Sequence, residues 1–404
     1  MARFDVDALR SEFPGLHQHV HGKPLIYADS AATAQKPKAV LAALYEANAL
    51  LAANVHRGVH ELSRRATAQY EGARDIIATF LGGVPREEVV FTRGATEALN
   101  LLAYGLQTRL SVGDEVLVTG MEHHANLVPW QLACARSGAT LRHIPVTDEG
   151  ALDLAAAPWS PATKVVGVVH ASNTLGTINP IAQIAAKAHE HGAIVVVDGA
   201  QWVPHGPTDP VALGADAYVF SGHKLYGPTG IGVLWARTSL LESLPVWQGG
   251  GDMIRSVTLT ESTFADLPHR FEAGTPPIAQ AIGLAAAIEW VQGVGWEELG
   301  EHEAQLTDAL DAMLAALPQV RRIGTHRPRV SLASFVFDGI HAHDVGSIVD
   351  TEGVALRTGH HCTEPLMDRF DVPATTRISL AAYNTFDEIE RIGRALRTVL
   401  DVLA

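Results

Sequence analysis

The sequence predicts an α/β protein: a large domain on a seven-stranded, mostly parallel sheet, joined to a smaller α+β domain. Three observations carry this. Between about Pro85 and Arg237, seven short apolar runs alternate with helical stretches, the rhythm of strands joined by helical crossovers. The runs are rich in Val and Ile and mostly uninterrupted by charge, as in strands buried on both faces. After a Gly- and Pro-rich stretch, Val246–Pro277, the pattern changes to long helices with fewer strands between them.

In chain order, Asp5–Phe13 places Val6, Leu9 and Phe13 on one helical face, ended by Pro14-Gly15; a short helix packing away from the main sheet is expected. The seven strands are expected at Glu88–Phe91, Glu115–Thr119, Thr140–Ile144, Lys164–His170, Ala193–Val197, Ala217–Phe220 and Gly230–Trp235. Val246–Pro277 reads as a connection, and Gln280–Val294 as an apolar helix linking the two domains. Beyond it, helices are expected over 302–317 and 386–403, the latter with Phe386, Ile389, Ile392, Leu396, Val399 and Leu403 on one stripe. Strands are expected at Ser331–Phe337, Val354–Arg357 and Thr376–Leu380. The expected division is 1–16 (a helical segment joining the small domain), 17–265 (large domain) and 266–404 (small domain).

Composition narrows the function. At 404 residues, 47% hydrophobic and 18% charged, the chain is globular and large enough for two or three domains. Forty-four acids against 30 bases give a net charge of −14, which disfavours binding to nucleic acid phosphates. Two cysteines, Cys134 and Cys362, make no disulfide framework and suit a reducing cytosol. No signal peptide, transit peptide or membrane span is expected.

Polar residues cluster after five of the expected strands, where open α/β sheets bind ligands. Lys224, in Ser221-Gly222-His223-Lys224, follows a buried strand; desolvation there lowers an amine's pKa and frees it to form a Schiff base. Asp198 ends Ile194–Val197; a carboxylate there needs a partner, such as a protonated pyridine nitrogen, or else caps the next turn. Gly94-Ala95-Thr96 opens a helix and makes an anion site that Ser221 and His223 can supplement, with simple capping by Thr96 the alternative. His123 and His124 offer a ring to stack on a flat cofactor or to bind zinc; no CxxC or HExxH accompanies them, so no metal is assigned. Cys362 lies in Arg357-Thr358-Gly359-His360-His361-Cys362, a polar, Gly-flanked, potentially mobile loop whose basic neighbours favour thiolate; Cys134 sits in an apolar helical stretch. Arg377, on an expected half-buried strand, can clamp a carboxylate or form a structural ion pair. Gly227-Pro228-Thr229-Gly230-Ile231-Gly232 lacks the order of a nucleotide loop.

Taken together, these segments resemble the fold-type I pyridoxal-phosphate (PLP) enzymes of the class V aminotransferase group, and within it the group II cysteine desulfurases, which share a scaffold with selenocysteine lyases. The resemblance spans nearly the whole chain: YADSAATAQKP (27–37), NVHRGVHELS (54–63), RGATEALN (93–100), MEHHANLVPWQ (121–131), VDGAQ (197–201), FSGHKLYGPTGIG (220–232), RFEAGTP (270–276) and RTGHHCTEP (357–365). It implies that Lys224 holds the cofactor as a Schiff base, Asp198 faces the pyridine nitrogen and Gln201 the phenolic oxygen. His123 would stack on the ring and join Lys224 and Cys362 as a catalytic residue. Thr96, Ser221 and His223 would hold the phosphate, and Thr275 would reach the phosphate site of a partner subunit, implying a homodimer. Asn173 and Arg377, with Arg357 close by, would orient L-cysteine, or L-selenocysteine. Cys362 would take the sulfur as a persulfide and pass it to an acceptor protein, for iron–sulfur cluster assembly. Ala95 departs from the family's frequent Thr. A selenocysteine lyase, a class V aminotransferase and a non-catalytic scaffold are the competing readings.

Overall fold

The computed structural model describes residues 4–317 and 319–403. Its central sheet contains β1 (Val89–Thr92), β2 (Glu115–Thr119), β3 (Thr140–Ile144), β4 (Thr163–Val169), β5 (Ile194–Asp198), β6 (Ala217–Ser221) and β7 (Gly232–Ala236). The order across the sheet is β1-β7-β6-β5-β4-β2-β3. Neighbours from β6 to β3 are parallel, while β7 runs antiparallel to both β6 and β1. All seven expected strands form, with ends shifted by one or two residues. Gly230, expected to begin the last of them, sits in a turn at φ +76°.

β1, β6 and β7 are buried at every position, and so are the last four residues of β5. Helices cover both faces of the sheet, so alternate side chains enter two separate cores: Val195, Val197 and Phe220 in one, Val196 and Val219 in the other. The helix Ile278–Val294 packs against Lys38–Leu50 and Glu61–Phe80.

The second sheet has four strands, ordered Val320–Ile323, Leu332–Phe337, Thr375–Ser379 and Arg357–Gly359, all pairs antiparallel. Helices Trp296–Ala315, Ala342–Thr351 and Phe386–Leu403 pack against it and each other. The first of these helices begins six residues before its expected start, and Val320–Ile323 was not expected at all. The single strand expected at Val354–Arg357 divides: Val354–Ala355 pairs in parallel with Ile26–Tyr27, and Arg357–Gly359 joins the four-stranded sheet. The Val246–Pro277 connection carries a hairpin, Ile254–Val257 with Ser262–Phe264. On the last helix Ile389, Ile392, Leu396 and Val399 are buried, but Phe386 and Leu403 at its ends are exposed.

The N-terminal helix is Val6–Ser11, capped by Asp5. It sits where the two sheets' surroundings meet. Phe13 packs on Tyr226, Trp290 and Tyr383, and Arg10 bonds the Tyr383 carbonyl and the Glu388 carboxylate. Among the described residues no single helix is long and apolar enough to cross a membrane.

Candidate active site

The carboxyl ends of β1, β2, β4, β5 and β6 share one rim, and the loops leaving them carry the expected residues. β6 ends at Ser221, and a single tight turn, Gly222–Lys224, follows. The N-terminal segment closes under that turn: the Ala34 N–H and the Thr33 hydroxyl both donate to the His223 carbonyl. The result is a half-buried lysine on a braced backbone. Burial pushes the Lys224 ammonium down to about 8; Asp198 opposes the shift, and Arg377 adds to it.

Asp198 is the last residue of β5 and is 4% exposed. Burial pushes its carboxyl pKa up, against the Lys224 charge and an N–H from Ala200 at 3.0 Å. Next to it, Gly199 lies against the Tyr218 ring, where a Cβ would overlap the ring atoms. Gln201 is buried and donates to the Ala31 carbonyl at 2.6 Å.

At the end of β1 the helix Ala95–Leu106 begins. Its first N–H, from Ala95, donates to Ser221 Oγ at 2.9 Å, which brings Ser221 to a helix N-terminus. Thr96 is exposed one residue further on, and His223 is half-buried. Burial, followed by the charge of Lys224, pushes His223 down to about 4, so its ring is neutral.

His123 follows β2. Its Nδ1 accepts the Ala125 N–H at 3.0 Å, and burial with the nearby Lys224 charge pushes it down to about 3. The ring is therefore neutral, with its proton on Nε2. Beneath it Glu122 is buried and accepts from Thr119, Asn126 and the Val169 N–H. Burial pushes Glu122 up to about 8 despite those donors, and the three hydrogen bonds brace the turn that aims His123.

The second sheet delivers the other half of the site. Arg377 lies on Thr375–Ser379, which is buried throughout rather than half-buried. Its Nη1 donates to the Asn173 carbonyl at 2.9 Å and its Nη2 to Asp29 Oδ1 at 3.0 Å, while the buried Nε has no partner. Arg357, largely exposed, donates from Nε to the same Asp29 carboxylate. The Asn173 Nδ2 donates to the His361 carbonyl at 2.6 Å and its Oδ1 is unpartnered. His361 and Cys362 are both left-handed, at φ 53° and 58°, an uncommon conformation for residues with a Cβ. The expected mobile loop is thus latched on both sides, since the His124 N–H also donates to the Cys362 carbonyl at 2.8 Å. Cys362 is exposed and Cys134 buried.

Lys224 thus lies within the electrostatic reach of Asp198, Arg377, Cys362, Arg357, His123 and His223, Asn173 bonds both Arg377 and the Cys362 loop, and Ser221, Thr96 and Gln201 stand on the same strand-end rim. Thr275 is exposed and shares a surface cavity of 270 Å³ with Arg93 and Glu97, on either side of Gly94–Thr96, and with Tyr70 and Gln248. Asp29 and Glu122 were not singled out as site residues. Both lie within recognisable segments (27–37 and 121–131), but their roles come from contacts distant in sequence. Among the described residues one group elsewhere has metal-like composition, His56, Glu71 and His269. Its carboxylate is already committed to Arg74 and Arg86, whose charges oppose a cation.

The class-V aminotransferase family matches residues 26–392, and the chain belongs to it. Within the family its relatives are cysteine desulfurases. It is 49% identical over 405 residues to a cysteine desulfurase of Klebsiella pneumoniae and 46% identical over 402 residues to a probable cysteine desulfurase of Vibrio cholerae, each match covering 99% of both chains. Among solved structures, the apo cysteine desulfurase of Thermococcus onnurineus superposes with a TM-score of 0.94 at 37% identity, covering 100% of both chains. The S-sulfonic acid form of Escherichia coli cysteine desulfurase CsdA gives 0.92 at 37% identity, covering 99% of this chain and 100% of that one.

Proposed function

We propose that this protein is a PLP-dependent cysteine desulfurase of the group II kind, converting L-cysteine to L-alanine and leaving the sulfur as a persulfide on Cys362. The observation that carries the reading is the meeting of two loops from different sheets. Cys362 is fastened through its carbonyl to His124, beside His123 and within reach of the charge of Lys224.

The residues fit the cofactor. A lysine with a lowered pKa, a nearly buried carboxylate with one neutral donor, and a helix N-terminus beside a serine hydroxyl stand on one rim. Lys224 would hold the cofactor aldehyde, Asp198 the ring nitrogen, Gln201 the phenolic oxygen, and Thr96, Ser221 and His223 the phosphate. When bound, PLP supplies an electron-withdrawing ring that acidifies the Cα–H of an amino acid attached to it.

The chain does the rest. Arg377, with an unpartnered Nε, binds the substrate carboxylate; Asn173, with an unpartnered Oδ1, accepts from a substrate donor beside it; and Arg357 adds charge at the mouth. The neutral His123 ring covers the cofactor face without adding positive charge. Lys224 Nζ, released when the substrate amine takes its place on the cofactor, would take the Cα proton. The Cys362 thiolate attacks the substrate sulfur; an S–S bond forms, the Cβ–S bond breaks with its electron pair left on Cβ, Cβ takes a proton, and Lys224 returns the other proton to Cα to give alanine. The exposure of Cys362 leaves the persulfide open to an acceptor protein, which we assign to iron–sulfur cluster assembly. We also propose a homodimer in which Thr275, exposed at the surface, completes the partner's phosphate site. The large domain is taken as 17–265, the small domain as 266–404, and 1–16 as a segment joined to the latter.

Alanine release from L-cysteine with a reductant tests the reading. Wild type should turn over, Cys362→Ala should keep its cofactor spectrum but nearly stop, and Lys224→Ala should be inactive. Wild-type rates in Cys362→Ala would sink it.

A further inference from the structure

We infer that Asp29 is the positioning residue for substrate-carboxylate recognition, holding Arg357 and Arg377 as a pair; the inference rests on the desulfurase reading. Arg357 and Arg377 are direct cross-strand partners on adjacent antiparallel strands. Like charges in that relation repel, and Arg377 is buried, which compounds the cost. One carboxylate lies between them. Asp29 Oδ1 accepts from Arg377 Nη2 at 3.0 Å, and Arg357 Nε reaches Oδ1 at 3.3 Å and Oδ2 at 3.1 Å.

Asp29 is itself pinned from both sides. The Ala28 N–H donates to the Ala355 carbonyl at 2.8 Å, the Ser379 N–H to the Ala28 carbonyl at 2.8 Å, and the Ser30 N–H to the Ser379 carbonyl at 3.2 Å. The backbone carrying Asp29 thus threads between the strand leading to Arg357 and the strand bearing Arg377. Its side chain is only 14% exposed, so the carboxylate cannot relax into water.

Two guanidinium groups and one carboxylate leave one positive charge uncompensated. Arg377 is further oriented by the Asn173 carbonyl on Nη1, which leaves its buried Nε–H as the donor without a partner. A second carboxylate, that of an α-amino acid, supplies both the missing charge and the missing acceptor. Asp29 therefore acts through the arginines. It touches neither the reacting sulfur nor the proton on Cα, so its loss should be felt in recognition of the carboxylate and little in the chemistry.

The test uses the PLP-loaded full chain and two ligands that differ only by the carboxylate: L-cysteine and cysteamine. Asp29→Ala should raise KM for L-cysteine by about tenfold or more, with kcat changed by less than about threefold. In spectral titrations of the cofactor it should weaken L-alanine binding by a similar factor and leave cysteamine binding within about twofold of wild type. Asp29→Asn keeps the shape and one acceptor but not the charge, and should fall between. It carries the test alone if Asp29→Ala does not fold. Equal losses for ligands with and without a carboxylate, or an unchanged KM in a folded variant, would overturn the inference. A wild type that releases no alanine from L-cysteine overturns the desulfurase reading instead, and the L-alanine and cysteamine titrations still decide the role of Asp29.

Discussion

Lys224 must be neutral to capture an aldehyde, and the structure says how often it is. Burial pushes its pKa from the usual 10.5 to about 8, and it does so against the pull of Asp198. At pH 7 roughly one Lys224 amine in ten is then neutral, against roughly one in three thousand for an ordinary lysine, a difference of about 300-fold. The histidines around it add nothing to this, because His123 and His223 are both neutral at that pH. The perturbation is a pH series from 6 to 10 on apoprotein mixed with PLP. The assay is the growth of the Schiff-base absorbance by stopped flow, with Lys224→Ala subtracting capture by surface lysines. The rate should rise about tenfold per pH unit below 8 and flatten above it. A rate still climbing tenfold per unit between pH 8.5 and 10 would mean that Lys224 is not desolvated as the structure places it, and the argument for its reactivity would fail.

Alkylation should separate the two thiols: Cys362 is exposed and Cys134 buried, with burial pushing the Cys134 thiol up. Iodoacetamide with mass-spectrometric mapping should label Cys362 first, and prior labelling of Cys134 would contradict the placement. Glu272 accepts both Arg74 Nη groups and the Phe91 N–H, and the Arg74 side chain is fully buried. Glu272→Gln removes one of the two carboxylates that face this cation, leaving it Glu71 and the Val89 carbonyl, and should cost about 2 kcal/mol in denaturant unfolding. Burial raises the Glu272 pKa, but Arg74 and the hydrogen bonds outweigh it and hold the carboxyl at about 2. Its folded-state pKa is thus depressed, so its contribution should be complete above pH 4.5 and fade as pH falls toward 2; stability of the wild type relative to Glu272→Gln that grows on acidification would refute the assignment. Gly199→Ala drives a Cβ into the Tyr218 ring beside Asp198. It should destabilise by about 1–3 kcal/mol and weaken PLP retention, read by equilibrium dialysis; unchanged retention would show that the strand end tolerates the shift.

Features written in local pattern were legible in the sequence. The strands of the central sheet are short Val- and Ile-rich runs because both their faces are covered, and each was placed within one or two residues. The rim followed from them, since strand ends carrying Asp198, Ser221 and His123 must open on one side of a parallel sheet. Helices Lys38–Leu50 and Glu61–Phe80 are absent from the sequence reading. The first leaves Leu41, Tyr45 and Leu50 exposed, so apolar positions do not mark its inner face. The second buries Arg74 and Ser63 on its inner face, satisfied by partners elsewhere. Local periodicity reads an apolar stripe; the first helix offers no clean one, whereas the second has Ala66, Tyr70, Ala73, Ile77 and Phe80 in register and was readable on that ground.

The same reasoning explains why the arginine clamp was seen and its keeper was not. Arg377 is conspicuous as a charge inside a strand, whereas Asp29 lies in a segment that looks like an ordinary turn, 348 residues before Arg377 and 328 before Arg357. What joins them is the parallel pairing of Ile26–Tyr27 with Val354–Ala355, two-residue strands too short to show a pattern. That two-stranded pairing, continued by the Asp29–Ser379 bridge, lays the N-terminal segment beside the second sheet, so a residue read as belonging to the large domain sets the charge of an arginine pair presented by the small one. The carboxylate-binding half of the cleft is therefore assembled only when both ends of the chain have met. Variants that loosen Ile26–Tyr27 should then act on recognition of the substrate carboxylate before they act on cofactor capture by Lys224.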